Sequence, residues 1–203
     1  NALQWLIGLE IFLLVDDPWR VVLTTDHPNG APFTTYPHLI RLLMDKAFRD
    51  EQMAKLNPDA VAMSSLGSIT RELSLNEIAI MTRAGPARLL GLKDRGHVGV
   101  GAAADIAIYR EDANRETMFT APEHVFKDGV RVARRGVITA TPTGGTHFVE
   151  PVYDKGIEKL IERYAHEHLA VAPRHLVIGH DELCRCCNGG RLLPAACFET
   201  AAN

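Results

Sequence analysis

Five residues, Val21-Val22-Leu23-Thr24-Thr25, form an unbroken apolar and β-branched run that stops at the polar turn Asp26-His27-Pro28-Asn29-Gly30. Such a run, without polar alternation, predicts a strand buried on both faces, as in a parallel sheet. Pro28 and Gly30 mark where it ends. A parallel strand cannot satisfy its own backbone groups. Its partners are therefore expected in residues outside this sequence or in another chain. A helical stretch before the run and a second one from about Pro37 complete a helix, strand, loop, helix order. That rhythm belongs to a β/α barrel or a doubly wound sheet.

The stretch before the strand, residues 2–15, is apolar nearly all round through Leu3, Leu6, Ile7, Leu9, Phe12 and Leu13. It predicts a buried helix. It is too short to span a bilayer, Glu10 interrupts it, and it has no basic lead or small-residue cleavage site. A chain that opens inside a buried element is expected to be the C-terminal part of something longer. The 203 residues are 46% apolar and 23% charged, as in an ordinary globular chain. A formal charge of −3 argues against bulk binding to nucleic acid or to an anionic membrane. Four cysteines, at 184, 186, 187 and 197, are too few and too clustered for a disulfide framework, so a cytoplasmic location is expected.

Residues 37–56 read as helix, with Leu39, Ile40, Leu42, Leu43 and Ala47 on or near one face. Ser74 and Glu77 have the spacing of a capping box, which predicts a helix from Leu75 to about Gly85-Pro86. After Gly91 the period changes. Val98 and Val100 alternate, as do Ile106 and Ile108. Asp128-Gly129 between Val125-Phe126-Lys127 and Val130-Arg131-Val132 is a strong two-residue hairpin signal. Residues 153–169 predict an amphipathic helix through Ile157, Leu160, Ile161, Tyr164 and Leu169. The last 30 residues read as irregular. The expected fold class is α/β, with domains over 1–95, 96–150 and 151–203.

Asp26 is the first residue with chemical promise. A carboxylate at the C-terminal mouth of a barrel strand can ligate a metal, and can move a proton from water to a leaving group. Taken alone, strand then Asp is a weak signal, and an aspartate merely capping its own turn is the default reading. Three further stretches add weight. They are Thr24-Thr25-Asp26-His27-Pro28, then Leu75-Asn76-Glu77-Ile78-Ala79 through Thr82-Arg83-Ala84-Gly85-Pro86-Ala87-Arg88-Leu89-Leu90-Gly91-Leu92, then Gly96-His97-Val98-Gly99-Val100-Gly101-Ala102-Ala103-Ala104-Asp105-Ile106-Ala107-Ile108.

In that order these stretches, over about residues 20–137, resemble the C-terminal third of the amidohydrolase superfamily. Asp16-Asp17-Pro18-Trp19-Arg20, Thr24 to Gly30, Phe33-Thr34-Thr35-Tyr36-Pro37, Gly96-His97-Val98-Gly99-Val100-Gly101 and the long tail resemble, more closely, the amidohydrolase-type subunits of formylmethanofuran dehydrogenase and of the related bacterial formyltransferase/hydrolase complex. The resemblance implies the end of a metal-dependent β/α barrel over 1–95, part of a β-sandwich domain over 96–150 and a helical, irregular extension over 151–203. It implies hydrolysis or formation of an N-formyl amide carried on methanofuran, and other subunits of a complex as partners. It also implies a centre of two metal ions, zinc, with most ligands held by residues outside this sequence. On that reading Asp26 is both the catalytic and the metal residue, and His27 and Asn29 are substrate contacts. A chain carrying Asp26 without the other ligands is expected to be inactive.

Two alternatives share parts of this pattern. A cyclic amidohydrolase of dihydroorotase or hydantoinase type would use Asp26 and the sandwich motifs, but leaves residues 33–37 and the tail without a purpose. A non-catalytic scaffold subunit would use the same segments to dock partners, and would tolerate alanine at Asp26. His166-Glu167-His168 has the letters of a metal pair, but on a helix residues two apart point about 200° apart. Both histidines are expected at the surface. His175, His180, Cys184, Cys186, Cys187 and Cys197 lack the paired spacing of a zinc knuckle, and free thiols are the plainer expectation. Lys127, Arg131, Arg134 and Arg135 read as a solvated hairpin face or a subunit contact. Gly99 and Gly101 are too close together for a dinucleotide loop, and fit a turn that needs positive φ.

Overall fold

The computed structural model describes residues 2–149, 151–179, 181–183 and 190–195. It divides into two compact units, residues 1–141 and 142–203. The architecture is mixed α/β, with one antiparallel and one parallel sheet.

The first unit opens with helix α1 (Ala2–Leu14), which buries Leu6, Leu9 and Leu13 as its apolar pattern requires. Residues 21–25 run as a connecting segment that belongs to no sheet; among the described residues no strand pairs with them. The run predicted as a parallel strand buried on both faces is thus outside any described sheet, with Leu23 and Thr25 buried and Thr24 exposed. Helices α2 (Tyr36–Met44), α3 (Lys46–Met53) and α4 (Pro58–Ala62) follow. The helix expected over 37–56 is split at Asp45, whose backbone is extended. The Asp45 carboxylate accepts the Phe48 N–H at 2.8 Å and Arg41 Nε–H at 3.3 Å, capping the second helix and ending the first. That break turns Ala47 out to solvent.

Helix α5 (Leu75–Ala79) starts at the predicted capping box, with both reciprocal Ser74 and Glu77 bonds made. It runs on through a π-helical turn (Ile80–Ala84) into α6 (Gly85–Leu89). The core joins α1, α2, α3 and α5 through Leu6, Leu13, Leu43, Leu66, Ile78 and Met81. Fully buried Arg49 crosses it without a carboxylate partner among the described residues. Its guanidinium donates to the carbonyls of Leu42, Ile69 and Arg71 at 2.8, 3.1 and 3.0 Å. Burial lowers its pKa, and nearby Asp50 and Glu72 act against that shift.

Strands β1 (Ile106–Ile108), β2 (His124–Lys127), β3 (Val130–Arg134) and β4 (Val137–Ile138) form an antiparallel sheet in sequence order, with helix α7 (Arg115–Thr120) between β1 and β2. Val98 and Val100 are exposed and outside it. Asp128 and Gly129 both have positive φ, 48° and 80°, as the hairpin signal demands. Arg135-Gly136 repeats that geometry between β3 and β4, at 48° and 77°. Gly101, at 86°, supplies the positive φ expected of it.

Asp105 ties the first hairpin down. Its carboxylate accepts the Asp128 N–H at 2.8 Å and Lys127 Nζ–H at 2.9 Å, and pairs with Arg95. Desolvation pushes the Asp105 carboxyl up. Bonds from Lys127, the Asp128 amide and Arg95 outweigh it and hold the group below the usual carboxylate range. Of the predicted basic cluster, Lys127 pairs with Asp105 and Asp128, and Arg135 with Glu123 at 2.7 Å. Arg131 and Arg134 are exposed.

The second unit holds helix α8 (Ile157–His168) and a parallel pair, β5 (Gly145–Val149) with β6 (Arg191–Ala195). Strand β6 lies in the last 30 residues, which read from sequence as irregular. His166 and His168 are exposed on α8, as expected. The four cysteines and His180 lie outside the described residues. Among the described residues no helix is long and apolar enough to cross a membrane.

Candidate functional site

The 21–25 segment is pinned from two sides. Leu23 N–H donates to Met81 O in the π-helical turn at 3.2 Å, and Tyr36 Oη–H from α2 donates to Leu23 O at 3.5 Å. Leu23 and Thr25 are buried while Thr24 and Asp26 are exposed, the alternation of an extended chain. The Thr25 hydroxyl is enclosed without a hydrogen-bond partner among the described residues.

Asp26 then turns the chain with φ 50°, a left-handed conformation that aspartate tolerates better than most residues. The turn is closed through main-chain atoms. Gly30 N–H donates to Asp26 O and Ala31 N–H to Thr25 O, each at 2.8 Å. Asp26 N–H donates to Thr24 Oγ1 at 3.2 Å. Among the described residues nothing bonds to the Asp26 carboxylate. The aspartate therefore does not cap its own turn with its side chain. It presents a free, exposed carboxylate on a backbone held in place by other groups.

His27 stacks on Phe33 with ring centroids 4.0 Å apart and planes 22° apart. Asn29 is exposed at the apex of the same turn. The structure thus brings Asp26, His27 and Asn29 into one exposed turn and adds Phe33 to it. In the sequence Phe33 stands out only as part of a longer motif. Its signal is a large apolar side chain just past a turn of polar residues, and position alone gives it no partner.

Two larger hollows lie elsewhere. One, of about 330 Å³, is lined by Leu23, Tyr36, Ile40, Arg83, Tyr109 and Phe119 among others, and among the described residues no carboxylate or imidazole faces it. The other, of about 300 Å³, is largely apolar, between Trp5, Leu9, Leu39, Leu42 and Met53. Neither includes Asp26. Among the described residues no group of three or more His, Cys, Asp and Glu side chains is placed to hold a metal ion. Asp26 fits a metal as a single oxygen donor, and the described residues do not complete a coordination shell around it.

The sequence pattern of the Amidohydrolase family matches residues 2–133. The A component of the formyltransferase/hydrolase complex Fhc of Methylorubrum extorquens is 48% identical over 164 residues, covering 81% of this chain and 30% of that protein. Protein FwdA of Methanocaldococcus jannaschii is 43% identical over 157 residues, covering 73% of this chain and 28% of that one. A chain in the crystal structure of the formyltransferase/hydrolase complex FhcABCD from Methylorubrum extorquens, in complex with methylofuran, superposes with a TM-score of 0.81 and 42% identity. That match covers 97% of this chain and 36% of the other. The chain thus spans about 30% of the length of the curated relatives it matches.

Proposed function

Since this chain belongs to the amidohydrolase family, we propose that it is the C-terminal portion of a metal-dependent subunit that hydrolyses, or in reverse forms, the N-formyl amide of formylmethanofuran. Its product is formate, and its setting is one-carbon metabolism. Its partners are the other subunits of a formyltransferase/hydrolase or formylmethanofuran dehydrogenase complex, together with the small-molecule substrate. Identities of 48% and 43% to proteins of that kind support this reading over the cyclic amidohydrolases. On it, residues 1–95 are the end of a β/α barrel, 96–150 part of a β-sandwich domain and 151–203 an extension. The apolar, β-branched segment 21–25 supports the barrel assignment, because it has the composition of a parallel strand and no described strand lies beside it.

The observation that carries the proposal is the free carboxylate of Asp26 on a backbone that does not need it. In hydrolysis, Asp26 accepts a proton as water adds to the formyl carbon, and delivers it to the amine nitrogen as the C–N bond breaks. His27 and Asn29 meet the substrate beside it. Asp26 would supply one ligand to a divalent metal centre, zinc as a pair in this proposal, and that centre would supply a water acidic enough to attack near neutral pH.

Asp26→Asn in the full-length subunit, assembled in its complex, tests the proposal. The expected result is a fall in kcat of about 10²–10⁴-fold, the usual worth of a positioned acid–base group. Thermal stability should stay unchanged, because the turn is closed by main-chain bonds. A variant that releases formate from formylmethanofuran at the parent rate overturns the role of Asp26, and a parent complex that releases none overturns the hydrolase reading.

A further inference from the structure

Phe33 stands out in the sequence, and the chemistry of formamide hydrolysis leaves it idle. We propose that Phe33 is a positioning residue for His27, holding the imidazole where it meets a substrate bound at Asp26. This rests on the hydrolase reading of that turn.

Three observations carry it. First, Phe33 is 64% exposed, so its ring is not part of the packed interior. Second, the turn does not need the ring for closure, because the 2.8 Å bonds from Gly30 to Asp26 and from Ala31 to Thr25 already close it. Third, the contact the ring makes with the turn is the near-parallel stack on His27 at 4.0 Å. Among the described residues the His27 imidazole has no hydrogen bond, so this stack is what selects its orientation. Phe33 is itself well placed to do so. It begins a short helical turn (Phe33–Thr35) that leads directly into α2, and the Thr35 N–H donates to Pro32 O at 3.0 Å. The ring therefore stands on a backbone anchored to the helical core. Stacking uses the face of the imidazole and leaves both ring nitrogens available to polar atoms of a substrate. A flexible imidazole would have to be ordered each time substrate binds, and a stacked one is ordered beforehand.

The test is a double-mutant cycle in the full-length, metal-loaded subunit within its complex, with formylmethanofuran as substrate and formate release as the readout. Phe33→Leu should raise KM about fivefold and leave kcat within about twofold, the pattern of lost binding rather than lost chemistry. Phe33→Tyr, which keeps the ring, should restore the parent KM. His27→Ala should raise KM as well, and Phe33→Leu on that background should add nothing further. If Phe33→Leu assembles poorly, Phe33→Met serves in the same cycle. An unchanged KM in Phe33→Leu overturns the proposal. So do effects of the two substitutions that multiply independently, because the ring then acts on something other than His27. Asp26→Asn and the parent separate the two claims. Loss of turnover in that variant with an additive cycle sinks only the positioning role, whereas a parent complex that releases no formate sinks the hydrolase reading itself.

Discussion

A Cβ at position 30 would stand 2.6 Å from the Thr25 carbonyl oxygen and 3.1 Å from Asp26 Cβ. Glycine is required there by space, since the turn folds its last residue directly over its first two. Gly30→Ala must push the Thr25 carbonyl away and weaken the bonds that close the turn. It should destabilise the full-length protein by about 1–3 kcal/mol, as crowding at a packed site usually does. Urea unfolding would measure this, and kcat should fall in the same variant because Asp26 is carried on the displaced backbone. A side chain that merely decorated the surface would change neither. That Pro28 and Gly30 make a turn is legible in the sequence, since their backbone preferences are local. That Phe33 lies on His27 is not, because a ring contact across a turn depends on where the following helix starts.

The hairpin between β2 and β3 draws on Asp105, which reaches it from the segment before β1. The Asp105 carboxyl is held below its ordinary pKa in the folded state. A group depressed in this way contributes stability above its unfolded value, and that contribution is lost as pH falls through the folded one. Asp105→Asn should therefore lower stability by about 1–2 kcal/mol at neutral pH. That is the lower part of the range for hydrogen bonds to a charged group, because the site is partly open to water. The gap between variant and parent should then narrow in acid, once the pH drops below the ordinary aspartate value of 3.8. Unfolding midpoints followed from neutral pH down through that value would show it, and a gap independent of pH would mean the charge is not what matters. Elements whose signals are local are legible in advance, such as the Ser74 and Glu77 capping box and the Asp128-Gly129 turn. The split at Asp45 is less so, because an aspartate inside a helical period can as well face solvent as cap a new helix. The parallel pair of β5 with β6 is not legible at all. Its partners lie far apart in sequence, Gly145 opens one strand and Pro194 sits within the other, and both residues argue locally against a strand.

Among the described residues, the main cluster of buried apolar side chains lies in the first unit, between Leu6 and Met81. In the second unit Ala165 is the buried hydrophobic among the described residues, while Ile157, Leu160, Ile161 and Tyr164 on α8 are exposed. The candidate site is equally partial, with one carboxylate among the described residues where a metal-dependent hydrolase needs several donors. On the proposed function, the 203-residue chain, purified alone and supplied with zinc, should release no formate from formylmethanofuran, whereas a full-length subunit in its complex should. Turnover by the short chain would mean that Asp26 works without donors from elsewhere.

The main-chain closure of the 26–30 turn has a consequence for descent. The Asp26 carboxylate takes no part in it, and asparagine tolerates the same left-handed backbone, so a lineage can exchange acid for amide there by a single base change and still make a protein that folds. If Asp26 acts as proposed, inactive copies should therefore be easy for evolution to produce and hard to recognise by their architecture.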